Sequence, residues 1–341
     1  MAITMQVPII ASEKVTTPDH ELQFIREMGV TNVDLNLDYA YSDEERLKGF
    51  LDHLSEFGLT AGNLSCMPLQ KNKIIDLGLD GRDEEIRKFN NFVVTAHKLG
   101  VPIVSVAWQP NGILRSGHKA FKSTHGGITG YADMDEISKR PPANDRVYTI
   151  DEIWDNFAYF LKKTLPVCEA EGVRMALHPN DPPVEYLAGV GSLIYRTEDY
   201  NRAFAMANES PALAMKMCIG CWLESGSAFG DLMQDIEDFT RRDKIVVVHF
   251  RNVTSTVPYF EEVLPEDGYA DMYAIMKKLV ECNYNGLMSV DHVFGAHTDE
   301  NTDRKSITAY SSAYSRSVGY AYPTGYAKGL LAAAEHELGK R

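Results

Sequence analysis

The chain has 341 residues, 44% of them apolar and 24% charged, which is enough apolar material for a large core and far from the composition of a disordered chain. Thirty-four basic against 48 acidic residues leave a net charge of −14, a sign that repels phosphate backbones and anionic headgroups and argues against nucleic-acid or membrane-surface binding. No apolar run approaches the roughly 18 residues that span a bilayer, no targeting segment is visible, and five irregularly spaced cysteines point to a reducing cytoplasm rather than a disulfide framework.

In chain order, β-rich runs alternate with amphipathic stretches. Strands are predicted near 8–11, 32–37, 60–66, 103–109, 174–179, 213–219, 245–253 and 286–293. Between them apolar residues recur three and four apart, as in Leu22, Ile25, Met28, in Leu47, Phe50, Leu51, Leu54, and in Ile153, Phe157, Phe160, Leu161, Leu165. Ser42 and Thr149 stand where helices should be capped, and Gly29, Gly58, Gly100 and Gly172 where they should stop. Eight β-α alternations with right-handed crossovers predict an α/β fold, one (β/α)8 TIM barrel, over 1–341. An open doubly wound sheet would have fewer strands and a glycine-rich first turn, whereas this first turn runs Ser12-Glu13-Lys14-Val15-Thr16. A polar insertion of about 110–148 follows the fourth strand and is read as a lid or subunit contact over the active-site face. An irregular segment of about 295–322 follows the eighth strand and precedes a closing helix.

Barrel chemistry sits at the C-terminal ends of the strands. Four consecutive strands end in metal-competent side chains: His178 in Leu-His-Pro, Cys218 in Met-Cys-Ile, His249 in Val-His-Phe-Arg, and Asp291 in Val-Asp-His. Any one of them has an ordinary structural explanation, but neighbouring parallel strands are about 4.8 Å apart, so four in a row can converge on one ion. A shell of imidazole, thiolate and carboxylate suits manganese, iron(II), cobalt or zinc. Cys168 and Cys282 read as small apolar residues. The Cys218/Cys221 spacing is a weak redox or zinc signal, because no second such pair exists.

The segments Asp151-Glu152-Ile153-Trp154-Asp155-Asn156-Phe157, Ala176-Leu177-His178-Pro179-Asn180-Asp181-Pro182-Pro183, Val248-His249-Phe250-Arg251-Asn252-Val253, Asp267-Gly268-Tyr269-Ala270-Asp271-Met272 and Asp291-His292 resemble mannonate dehydratase, a xylose-isomerase-like barrel. The resemblance implies a metal, usually manganese, held by His178, Cys218, His249 and Asp291. It also implies His292 and a C-terminal tyrosine, Tyr320 in preference to Tyr326, as catalytic residues. The implied reaction removes water from a sugar acid such as D-mannonate to give 2-keto-3-deoxygluconate through an enediolate, in an enzyme that forms homo-oligomers, often dimers. Trp108, Arg115, Arg251 and Asn252 are the expected substrate contacts, with a core plug the alternative for Trp108 and a structural ion pair an equal alternative for Arg251, while Asp181 and Glu185 near His178 are read as orienters or as loop carboxylates in water.

The chain departs from that pattern in three places. After Asp291-His292 the family continues with Gly and Arg, where this chain has Val293 and Phe294. The second strand ends Asp34-Leu35-Asn36-Leu37-Asp38-Tyr39 without a histidine, and the C-terminal motif is stretched over Gly319 to Gly329. Loss of the guanidinium at Phe294 removes a carboxylate ligand, which keeps open a metal-dependent sugar isomerase, epimerase or keto-sugar lyase on the same site. A non-catalytic barrel relative is the remaining alternative.

Overall fold

The computed structural model describes residues 3–293 and 316–340. Eight parallel strands close into a barrel: β1 Thr4–Ala11, β2 Asn32–Leu37, β3 Thr60–Cys66, β4 Ile103–Ala107, β5 Arg174–His178, β6 Leu213–Cys218, β7 Ile245–Phe250 and β8 Leu287–Val290. Each strand pairs with its neighbours in chain order and β1 closes on β8, so every crossover passes outside the barrel through a helix. β2 and β3 match the sequence expectation residue for residue.

The helices form as their sequences dictate. Thr149 caps the helix Ile150–Glu171 with a complete capping box: its side chain accepts from the backbone of Glu152, whose carboxylate accepts from the backbone of Thr149. That helix ends at Gly172 in the left-handed region. Asp43, not Ser42, caps Glu44–Glu56, because Ser42 closes a preceding 3-10 turn, Tyr39–Ser42. The apolar stripes predicted on these helices face the barrel, with Leu22, Leu47, Leu54, Phe157 and Phe160 almost wholly buried. Cys168 is buried as expected, whereas Cys282 is half-buried at a helix end.

The insertion after β4 is more ordered than its polarity suggests. Gly117–Ala120 and Ile128–Asp133 form a hairpin that joins Tyr259–Val263 and Asn252–Val253 in a four-stranded antiparallel sheet. Predicted strand 245–253 therefore divides at Arg251: β7 stays in the barrel, while Asn252–Val253 turns away into the second sheet. The irregular C-terminal segment is also shorter than expected, since Arg316–Glu337 is helical through Pro323 and buries Ala327 and Ala334. Phe294 and residues 295–315 lie outside the described residues. Among the described residues no helix is long and apolar enough to cross a membrane.

Candidate metal centre

β5, β6 and β7 deliver His178, Cys218 and His249 at one level, with Cys218 directly across from His249 in the strand register, and Asp291 follows immediately after β8. The donor atoms of Cys218, His249 and Asp291 lie within 4.8 Å of one another, and those of His178, Cys218 and Cys221 do likewise. The two imidazole rings are 5.4 Å apart. The Nδ1–H of His178 donates to the carbonyl of Pro179 at 2.7 Å, a bond that orients the ring and leaves Nε2 for a ligand. Burial pushes the Cys218 thiol up. Hydrogen bonds with Cys221, His178 and His249 and the charge of Arg251 outweigh that and hold it well below the ordinary thiol range. Burial likewise opposes the charge on Asp291, but His249 and His292 keep its carboxylate ionised.

These residues fit a divalent cation. His249 Nδ1 is a buried polar atom with no hydrogen-bond partner, although Asp291 Oδ2 lies 3.0 Å away, so the two atoms share an ion-pair distance without facing each other. An imidazole, a thiolate and a carboxylate with donor atoms within 4.8 Å of one another are a set that a borderline divalent metal takes. A neighbouring cluster, Asp181, Cys221 and Glu224, is already met by arginine: Arg251 lies 3.0 Å from Asp181 and 2.7 Å from Glu224.

The other expected site residues fall into four places. Arg115 and Arg251 come together with His292 in a buried ion network. Arg115 reaches Asp181 at 2.5 Å, Glu262 at 2.6 Å and Glu224 at 3.2 Å, and lies 3.3 Å from Nδ1 of His292. His292 takes a left-handed φ of 49°, so the chain has already turned at the end of β8, and its Nδ1 contacts Glu262. Trp108 is packed outside the barrel, edge-on to Phe157 at 5.1 Å, and Asn252 pins the following loop by donating to the carbonyls of Pro265 and Ala270. Tyr320 and Tyr326 lie on the C-terminal helix, Tyr320 half-buried against the core and Tyr326 within the field of Glu266 and Asp271. Neither is among the residues lining the cavity at the metal donors.

The sequence profile of the D-mannonate dehydratase family matches residues 127–337, more than half of the chain. The chain belongs to the mannonate dehydratase family. A mannonate dehydratase of Streptococcus equi subsp. zooepidemicus is 27% identical over 309 residues, covering 81% of this chain and 80% of the relative. One from Lactococcus lactis subsp. lactis is 24% identical over 288 residues, covering 73% and 78%. The crystal structure of mannonate dehydratase from Streptococcus suis superimposes with a TM-score of 0.85 at 22% identity, over 100% of this chain and 97% of that one. An L-ribulose 3-epimerase shares the barrel at a TM-score of 0.60 and 16% identity, over 98% and 97%.

In this member of the mannonate dehydratase family, a small cavity lies in front of His178, His249 and Asp291. Sequence reasoning missed its other half. Asp34 and Asn36 of β2, Ser65 of β3, Gln70 and Lys71 after β3, and Lys216 of β6 supply the rest of its polar lining. Lys216 was signalled: a lone lysine two residues before Cys218 in an apolar strand must share its inward face. Its ammonium lies 3.4 Å from both Asp34 and Ser65. Lys71 carried no such mark, because it caps the end of a short helix, Met67–Gln70, rather than lying on a strand.

Proposed function

We propose that this protein is a divalent-metal-dependent hydro-lyase that removes water from a sugar acid such as D-mannonate, giving 2-keto-3-deoxygluconate. Manganese is the expected metal, with iron(II), cobalt and zinc compatible with the same donors. The carrying observation is that His178, His249 and Asp291 line one cavity, with the Cys218 sulfur in reach of all three, in a chain of this family. Once bound, the cation supplies the positive charge that offsets the negative charge developing as the proton α to the carboxylate leaves. The chain's own residues do the remainder. The carbonyl of Pro179 fixes the His178 tautomer, and Cys221, His178 and His249 keep Cys218 as a thiolate. Arg115 and Glu262 hold His292 beside Asp291, where its second ring nitrogen lies 3.5 Å from the Asp291 carboxylate. From there His292 can move a proton to or from a hydroxyl that approaches Asp291. Asn36, Ser65 and Gln70 offer hydrogen bonds to a polyol chain.

The test is turnover of manganese-loaded protein against D-mannonate and a panel of other aldonates, with the 2-keto-3-deoxy acid as product and neutral ketoses run in parallel. Product from an aldonate supports the dehydratase reading. Solvent-proton exchange into a neutral keto-sugar with no dehydration moves the protein to an isomerase or epimerase on the same site, the alternative favoured by Phe294 in place of the family's arginine.

A further inference from the structure

Cys218 is the last residue of β6 and Cys221 lies in the first turn of the helix Ile219–Ser225 that follows, so their side chains are neighbours three residues apart. The two sulfurs and a ring nitrogen of His178 lie within 4.8 Å of one another, and Cys221 donates its S–H to the Cys218 sulfur. A disulfide holds its sulfurs about 2 Å apart, and Cys-x-x-Cys is the spacing at which redox-active pairs close that distance. Cys218 alone of the five cysteines is held below the ordinary thiol range. Burial pushes the thiols of Cys66 and Cys168 up to about 12 and raises that of Cys282, and burial together with the hydrogen bond to Cys218 raises that of Cys221. The pair therefore sets one nucleophilic sulfur beside one that keeps its proton. Both are buried, and Arg251 donates to the Cys221 sulfur at 3.7 Å. His178 and His249 hydrogen-bond to the Cys218 sulfur and line the cavity, so an oxidant that reaches the sulfur from the cavity passes two imidazoles and has to be small.

We propose that Cys218 and Cys221 are a modification site: in the metal-free protein hydrogen peroxide joins them in a reversible disulfide, and disulfide and metal exclude each other because both take the Cys218 sulfur. The Cys218 sulfur attacks one peroxide oxygen, the O–O bond breaks, hydroxide leaves and takes a proton from solvent, and Cys218 becomes the sulfenic acid. The Cys221 sulfur then attacks the Cys218 sulfur. The S–S bond forms, the S–O bond breaks, and the hydroxyl leaves with the Cys221 proton as water, so that two electrons pass from the pair to the peroxide. The disulfide requires only the two cysteines, whereas its exclusion of the metal rests on Cys218 being a donor in the proposed metal centre.

Full-length protein freed of metal by chelation, and the same protein reloaded with manganese, are treated with hydrogen peroxide, alkylated under denaturing conditions and digested with trypsin. The peptide Met217–Arg241 carries both cysteines. From the metal-free sample it should escape alkylation and weigh about 2 Da less than the reduced peptide. Two of the five thiols should be lost, and manganese should not rebind until a dithiol reductant is added. Manganese-loaded protein should keep all five thiols over the same time. Cys221→Ser should form no disulfide and carry Cys218 on to the sulfinic acid, which the reductant does not reverse. If that variant fails to fold, the mass of the wild-type peptide still locates the bond. A metal-free wild type whose two cysteines are both alkylated after treatment, or whose Cys218 is a sulfinic acid without the bond, overturns the disulfide. Equal rates with and without manganese overturn the exclusion and remove Cys218 from the metal centre while the disulfide stands. Metal content before treatment, read on the same samples, judges the metal centre separately.

Discussion

Nδ1 of His249 and Oδ2 of Asp291 approach to 3.0 Å without the alignment of a hydrogen bond. Under the proposed function, a bound cation would draw both atoms to itself and complete this end of the barrel. Purified wild type should carry one equivalent of divalent metal after desalting. His178→Ala, Cys218→Ala, His249→Ala and Asp291→Ala should each retain less than about a tenth of it, with unchanged far-ultraviolet circular dichroism. Elemental analysis decides, and stoichiometric metal in any of the four would remove that residue from the site.

The network of Arg115, Arg251, Asp181, Glu224, Glu262 and His292 ties the insertion to the loops after β5, β6, β7 and β8. Asp181 serves both guanidinium groups and is fully buried. Asp181→Asn should therefore destabilise the protein by about 3–5 kcal/mol, the usual consequence of breaking a buried pair from one side. Urea denaturation measures this, and a change under about 1 kcal/mol would mean that the two arginines find other partners.

Gly220 lies between the two cysteines, and a Cβ there would stand 2.1 Å from Cζ of Arg251. Gly220→Ala must push that guanidinium off Asp181 and Glu224, so loss of stability should be accompanied by loss of metal. Gly329, by contrast, faces open space on the Arg316–Glu337 helix, and Gly329→Ala should gain about 0.5–1 kcal/mol from helix propensity. Thermal melts of the two variants should move in opposite directions.

Glu152 in the capping box is held down to about 2 by hydrogen bonds from Arg146 and from Thr149. Its ordinary value is 4.5, so its contribution to stability is complete above that pH and is lost as the pH falls through about 2. Thr149→Ala should cost about 1 kcal/mol near neutrality. The gap between wild type and variant should narrow between pH 4.5 and 2, because protonated Glu152 can no longer answer the cap. A gap independent of pH would show that the two halves of the box act separately.

The barrel was legible because its strands are apolar runs closed by glycine and cap residues, local signals that tertiary contacts did not override. The grouping of His178, Cys218, His249 and Asp291 was legible because chemistry in this architecture sits at strand ends, and four consecutive strands end in these residues. The antiparallel sheet was not legible. Gly117–Ala120 is half-exposed and polar, and only pairing of Ile128–Asp133 with Tyr259–Val263, more than a hundred residues away, defines those strands. The same long-range pairing hid the fate of Arg115 and Arg251: their type suggested an anionic ligand, and their partners Asp181, Glu224 and Glu262 come from other, distant segments of the chain. Trp108 and Asn252 sit beside the right strand ends, but their side chains turn to the helical layer and to the 265–270 loop. Only the packing of those neighbours decides that.

Because Tyr259–Val263 pairs with Ile128–Asp133, the excursions after β4 and β7 are halves of one object. Exchanging either alone with a relative would leave an open sheet edge and part Arg115 from Glu262. Transplanting both together would keep that contact and the whole sheet, so in loop grafting between barrels of this kind the unit of exchange is the pair.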